Sequence, residues 1–187
     1  MSTRNDILEQ IATALEGGGG ELPPDVCRIG WGSYFNGDTT PINILAGVET
    51  KLTLTTTGGG ENEAYMPLGV SGLWDSVNSQ FDFSSLEVGD MVDIRIDGSL
   101  TNTGFNESFV VNLNAAIGSP GAYTLPFASG NRLFADTSLV SRYNGIFIGS
   151  EDMRTNPSEI TIVSTDDATG FLVDIYVKVL KRTGGAI

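Results

Sequence analysis

Carboxylates are the side chains in this sequence with the most chemical potential. Asp93 and Asp97 lie two positions either side of Arg95 in the run Met91–Leu100, so all three project from one face of a strand. Two such carboxylates can serve as acid and base in glycoside hydrolysis. The simpler assignment is a ladder in which Arg95 offsets the acids, because the other face, Val92, Ile94 and Ile96, is plain core. Glu61-Asn62-Glu63, Glu151-Asp152 and Asp166-Asp167 offer oxygens of the kind Ca²⁺ takes, about six to eight at a time. None follows the spaced calcium loop D-x-[DN]-x-[DN]-G, and exposed acidic turns are expected there. Thr57-Gly58-Gly59-Gly60 lacks the Gly-Lys-Ser/Thr of a phosphate loop.

The residues that usually complete a catalytic site are missing. The chain has no histidine, which removes Ser-His-Asp and Cys-His nucleophile systems and the commonest metal ligand. Cys27 is the single cysteine, so an internal disulfide and a Cys-rich zinc site are both excluded. It stands beside Arg28 but has no imidazole to activate it, and an edge-strand or buried thiol is expected. No catalytic residue, metal site or cofactor is therefore assigned, and a binding or structural module is expected rather than an enzyme.

Charge narrows the partners. Lys and Arg total 10 against 23 Asp and Glu, a net charge of −13. Such a polyanion repels phosphate backbones and anionic membrane surfaces, so neither nucleic acid nor membrane is an expected partner. No apolar run approaches the roughly 18 residues that cross a bilayer, and no signal-peptide pattern opens the sequence.

These residues must be carried by elements. A length of 187 residues suits one domain with an appendage. Residues 5–16 place Ile7, Leu8, Ile11 and Leu15 on one helical face, and Gly17–Gly20 then end the helix in a flexible tether. Three turns are marginal alone in water, so this helix must dock on something. The division expected is an arm and Gly/Pro linker over 1–25 and a β body over 26–187.

The body shows strand-like runs at Arg28–Asn36, Val48–Thr57, Met91–Leu100, Ser108–Ala116, Tyr123–Phe127, Arg132–Ala135, Arg142–Ile148, Ile160–Ser164 and Phe171–Leu180. Unequal connections between eight or nine strands predict an all-β jelly-roll sandwich over an up-and-down barrel. An immunoglobulin-like sandwich is disfavoured by the extra length and the missing Cys-Trp-Cys framework. In the last run Phe171, Val173, Ile175, Val177 and Val179 alternate onto one face. The other face still carries Leu172, Tyr176 and Leu180, which suggests a subunit interface. Trp74, in the long connection 66–79, is the candidate exposed aromatic, available to a trimer interface or a ligand.

The segments Tyr34-Phe35-Asn36-Gly37, Gly47–Thr53, Trp74-Asp75, Gln80–Ser84, Leu86–Asp97 and Arg142–Gly149, with the last strand, resemble tailed-bacteriophage virion proteins with a trimeric, tumour-necrosis-factor-like (TNF-like) jelly-roll head. The resemblance spans residues 30–181. It implies a homotrimer on the virion surface, assembled in the bacterial cytoplasm, with phage capsid or tail proteins as partners. The arm residues Ile7, Leu8, Ile11 and Leu15 would then be the anchor. A small body without a long shaft favours a capsid decoration protein or short head fibre. The alternative is a tail-fibre tip that binds a host-surface glycan through loops such as Glu61–Gly69 or Ser150–Glu159.

Overall fold

A computed structural model describes residues 28–132 and 136–182, with the side chain of Arg132 excluded. The expected helix over 5–16, its four apolar residues, the glycine tether and Cys27 lie outside the described residues.

The body is a two-sheet β-sandwich. In chain order its strands are β1 (Ile29–Phe35), β2 (Ile42–Ile44), β3 (Thr50–Lys51), β4 (Gly60–Tyr65), β5 (Trp74–Asp75) and β6 (Gln80–Phe81). They continue as β7 (Met91–Asn102), β8 (Glu107–Ala115), β9 (Tyr123–Arg132), β10 (Thr137–Phe147), β11 (Glu159–Ser164) and β12 (Ala168–Leu180). The larger sheet runs β10-β7-β12-β1-β4, with β2 pairing to β12; the smaller runs β3-β11-β8-β9. The antiparallel pairs nest, from β8–β9 outward through β7–β10 and β3–β11 to β1–β12. Successive pairs alternate between the two sheets. A long hairpin wound in this way is a jelly roll, as the strand count and unequal connections predict.

The core fills the space between the sheets. Val92, Ile94, Ile96 and Leu100 of β7 and Ile175, Val177 and Val179 of β12 face Phe109, Val111 and Leu113 of β8 and Ile160 and Ile162 of β11. The alternation read in Met91–Leu100 is the one observed, because one of its faces is wholly apolar.

The last strand departs from its expected alternation. A bulge shifts the β7–β12 register between Leu172 and Asp174. Leu172 therefore turns into the core at 2% exposure, while Val173 is 40% exposed. Phe171 leaves the core face with it. The expectation that Leu172 lies at an interface is thus corrected. Gly98 sits opposite the bulge; a Cβ there would come within 2.9 Å of the Phe171 carbonyl oxygen.

Trp74 is a second correction. It belongs to the small β5–β6 hairpin and is 4% exposed. Its indole N–H donates to the Leu54 carbonyl at 3.1 Å, and its ring meets Phe81 edge-on at 4.9 Å. An indole whose one donor is satisfied by backbone can be buried without penalty. Trp74 is core rather than an exposed aromatic.

The two loops proposed for ligand contact are also more regular than expected. Gly60–Tyr65 is an edge strand, and Glu63 accepts hydrogen bonds from Tyr34 Oη and from the Gly72 and Leu73 amides. Glu151–Thr155 is a short helix, α1, capped by the Ser150 side chain accepting from the Met153 amide at 3.2 Å. Met153 plugs into the core beneath it.

Candidate functional site

The sandwich has two outer faces of opposite character. On the smaller sheet most outward residues are polar and bonded to each other, around one opposed apolar pair, Val110 and Val163. Lys51 pairs with Glu159 at 2.8 Å, Thr161 donates to Glu49 at 2.6 Å, and Asn114 bonds Glu49 and Thr161. These bonds hold the Glu49 carboxyl below its ordinary range, the Thr161 hydroxyl contributing most. Apart from the valine pair, this face is suited to water.

The outer face of the larger sheet is not. Antiparallel register places Ile29 opposite Leu180, Leu180 opposite Met91, and Met91 opposite Phe147. Directly opposed residues share a face, so these four form one apolar row across four strands. Ile29, Met91 and Phe147 are 53%, 44% and 56% exposed. Beside the row, Trp31 is sandwiched between Tyr65 and Tyr176, with ring centroids 4.8 and 5.6 Å apart and planes within 22°. The Arg95 guanidinium lies 5.4 Å above the Tyr176 ring, a cation–π contact that extends the stack onto β7.

A charge network fills the middle of this face. Arg95 Nε lies 3.0 Å from Asp97 Oδ2, close enough for an ion pair though not aligned for a hydrogen bond. Its other arm is 3.8 Å from Asp174, and Lys178 is 4.0 Å from Asp93. Tyr143, across from Arg95 on β10, shares a hydrogen bond with Asp93 that pushes its phenol up to about 12. Asp174 and Asp97 are direct register partners. Burial first, then the hydrogen bond and charge of Asp97, push Asp174 up to about 6, against the pull of Arg95. Asp174 Oδ1 is buried without a hydrogen-bond donor.

The sequence reading placed Asp93, Arg95 and Asp97 together, and the structure brings them together as a ladder. Tyr176 and Leu180 join them on the same face. Trp31, Met91, Phe147 and Tyr65 were missed. Trp31 could have been found from its position between Gly30 and Gly32, since in a strand it alternates onto the face opposite them. The row Ile29–Leu180–Met91–Phe147 had no sequence signal, because each strand contributes one residue to it.

Elsewhere, an open depression of about 450 Å³ is lined by Asn36, Asp38, Thr40, Thr53, Thr55 and Ser79 among others. Its polar groups are already engaged: Asn36 Oδ1 accepts from the Asp38 and Thr55 amides, and Asp38 accepts from the Thr40 amide. No aromatic ring lines it for a sugar to stack on. Among the described residues no group of three or more Asp, Glu or Cys side chains is placed to hold a metal, and no helix is long and apolar enough to cross a membrane.

No protein-family model matches the chain, and no curated protein matches it. Solved structures similar in shape include a chain of the infectious bursal disease virus Gx strain, at 10% identity and a TM-score of 0.47. That likeness covers 90% of this chain and 38% of the viral one, so this chain spans about two fifths of its length. The PRD1 vertex protein P5 is similar at 9% identity and TM-score 0.38, over 82% of this chain and 96% of its own. Eiger TNF from S. frugiperda is similar at 10% identity and TM-score 0.36, over 84% and 96% respectively.

Proposed function

We propose that this protein is a non-enzymatic virion structural protein, a capsid decoration or head-fibre protein of a tailed bacteriophage, and that three copies associate through the outer face of the larger sheet. The observation that carries this reading is the contrast between the two outer faces. One is mostly polar and internally bonded, interrupted by the single pair Val110 and Val163; the other exposes an apolar row across four strands and an aromatic stack. Contiguous apolar surface of this kind on a small domain marks a contact surface. The charges on it are largely paired within the same copy, which lowers the cost of covering them. The occupant is a second copy, because the resemblance in the chain's phrases is to trimeric heads and a sheet face that meets a neighbour's edge closes into a ring.

Attachment to the particle belongs to residues 1–25, with Ile7, Leu8, Ile11 and Leu15 as the docking side chains. The chain joins the body at Ile29, the first residue of the apolar row, so three arms would leave the trimer from one end. Three weak arms on one body hold far more tightly than one. Light scattering tests the association directly. The purified protein should have about three times the 19.8 kDa chain mass. Met91→Lys combined with Phe147→Lys should give a folded monomer. A wild-type monomer at micromolar concentration overturns the reading.

A further inference from the structure

At one end of the sandwich two crossings run side by side between the sheets. Residues 103–106 lead from β7 to β8, and residues 165–167 lead from β11 to β12. They are tied together: Thr103 Oγ1 donates to the Asp167 carbonyl at 2.7 Å, the Thr165 amide to the Ser108 carbonyl at 2.9 Å, and the Ser108 amide to Thr165 Oγ1 at 2.9 Å. Asp167 itself is engaged, accepting from the Ala46 amide.

Beneath these loops, polar side chains are buried without enough partners. Asn102, the last residue of β7, is 3% exposed, and neither its amide oxygen nor its nitrogen has a hydrogen bond. Glu107, the first residue of β8, is 2% exposed; one carboxylate oxygen accepts from the Gly104 amide and the other has no partner. Strand alternation points both side chains inward, Asn102 from the larger sheet and Glu107 from the smaller. Asp166 completes the group. Its Oδ1 accepts from the Asp167 amide. Its Oδ2 and Glu107 Oε1 lie 2.7 and 2.6 Å from the point where a Cβ on Gly104 would stand. Two carboxylates thus converge on a space that glycine leaves open, and the orphaned carboxamide of Asn102 is buried on the strand that leads into the same crossing.

Two carboxylates aimed at one small gap repel each other, a cation between them would relieve that repulsion, and unsatisfied buried oxygens are costly. We propose that Asn102, Glu107 and Asp166 form a Ca²⁺ site that clamps the two crossings together. The donors are all hard oxygens, two anionic and one neutral, which suits Ca²⁺ over softer metals. Ca²⁺ also tolerates irregular coordination and completes its shell with backbone carbonyls and water, whereas Mg²⁺ demands a near-ideal octahedron. With two carboxylates the affinity should be about 10⁻⁴–10⁻³ M. This inference does not depend on the assembly proposed above.

The test is calorimetric titration of CaCl₂ into the chelator-stripped full-length protein, with melting temperature followed in parallel. A saturable heat and a rise in melting temperature are expected, larger with Ca²⁺ than with Mg²⁺. Asp166→Asn, at an exposed position, should weaken binding on the order of tenfold or more while leaving the calcium-free protein as stable as wild type. Gly104→Ala should block the site while keeping both charges, since its Cβ would occupy the gap. The absence of any saturable calcium effect, or one that survives both variants, overturns the proposal.

Discussion

Asp174 is the residue whose chemistry most affects the outer face. Its ordinary carboxyl value is 3.8, and in the folded chain it is pushed up to about 6. A folded-state value above the unfolded one means that the proton is bound more tightly by the native protein. The associated stability is fully present below about 3.8 and is lost as the pH rises through about 6. Asp174→Asn removes that loss. At fixed protein concentration the variant should gain about 1 kcal/mol over wild type at pH 7.5, solvent screening allowed for, and little at pH 4. Denaturant unfolding at the two pH values checks it, and a variant less stable than wild type at pH 7.5 would show that Arg95 governs the site. Asp38, Glu49 and Asp75 act in the opposite sense. Hydrogen bonds hold their carboxyls below the usual range, so their contribution disappears only on acidification below the unfolded values of 3.8 to 4.5.

Among the elements, β12 decides most. It pairs with β1, β2 and β7, so its register sets which side chains reach the core and which reach the outer face. The bulge at Val173 splits it into two halves of opposite phase. Before it, Ala168, Gly170 and Leu172 face inward; after it, Ile175, Val177 and Val179 do. Had the strand run straight, Asp174 would not stand opposite Asp97, and the carboxylate pair would not exist. Leu172→Ala should cost about 2–5 kcal/mol, as expected of a leucine removed from a packed core. Val173→Ala should cost only about 0.5 kcal/mol. Equal losses at the two positions, measured by chemical denaturation, would place the bulge elsewhere.

For the whole molecule, the proposed trimer would be held by the apolar row and aromatic stack of the larger sheet, and the proposed anchor, residues 1–25, would bind the particle. Removing residues 1–20 should leave a folded β body with the same trimeric mass that no longer joins particles. Leu8→Asp with Ile11→Asp should do the same by putting charge on the docking face. The readout is the number of copies bound per particle after reconstitution. Full occupancy by the truncated chain refutes the anchor. A truncated chain that melts lower and is poorly soluble shows instead that residues 1–20 cap the sandwich.

How much of this was legible in the linear sequence follows from how local each feature is. Absent histidine and a single cysteine removed whole classes of catalysis without any fold. The strand over Met91–Leu100 was readable because its inward face is purely apolar and its outward face purely polar. Jelly-roll architecture followed from the strand count and the uneven connections, which are also properties of the linear chain. The phase change in β12 was not readable: Phe171, Leu172 and Val173 are all apolar, so either alternation satisfies the pattern, and only pairing with β7 chooses. Trp74 misled for a similar reason, since its short hairpin becomes core only when Phe81 and the Leu54 carbonyl meet it. The apolar row, the Asp97–Asp174 pair and the Asn102–Glu107–Asp166 cluster each draw single residues from strands and loops far apart in the chain. No local periodicity records such a set, because it comes into being only when antiparallel register aligns the strands and the two sheets close over one another.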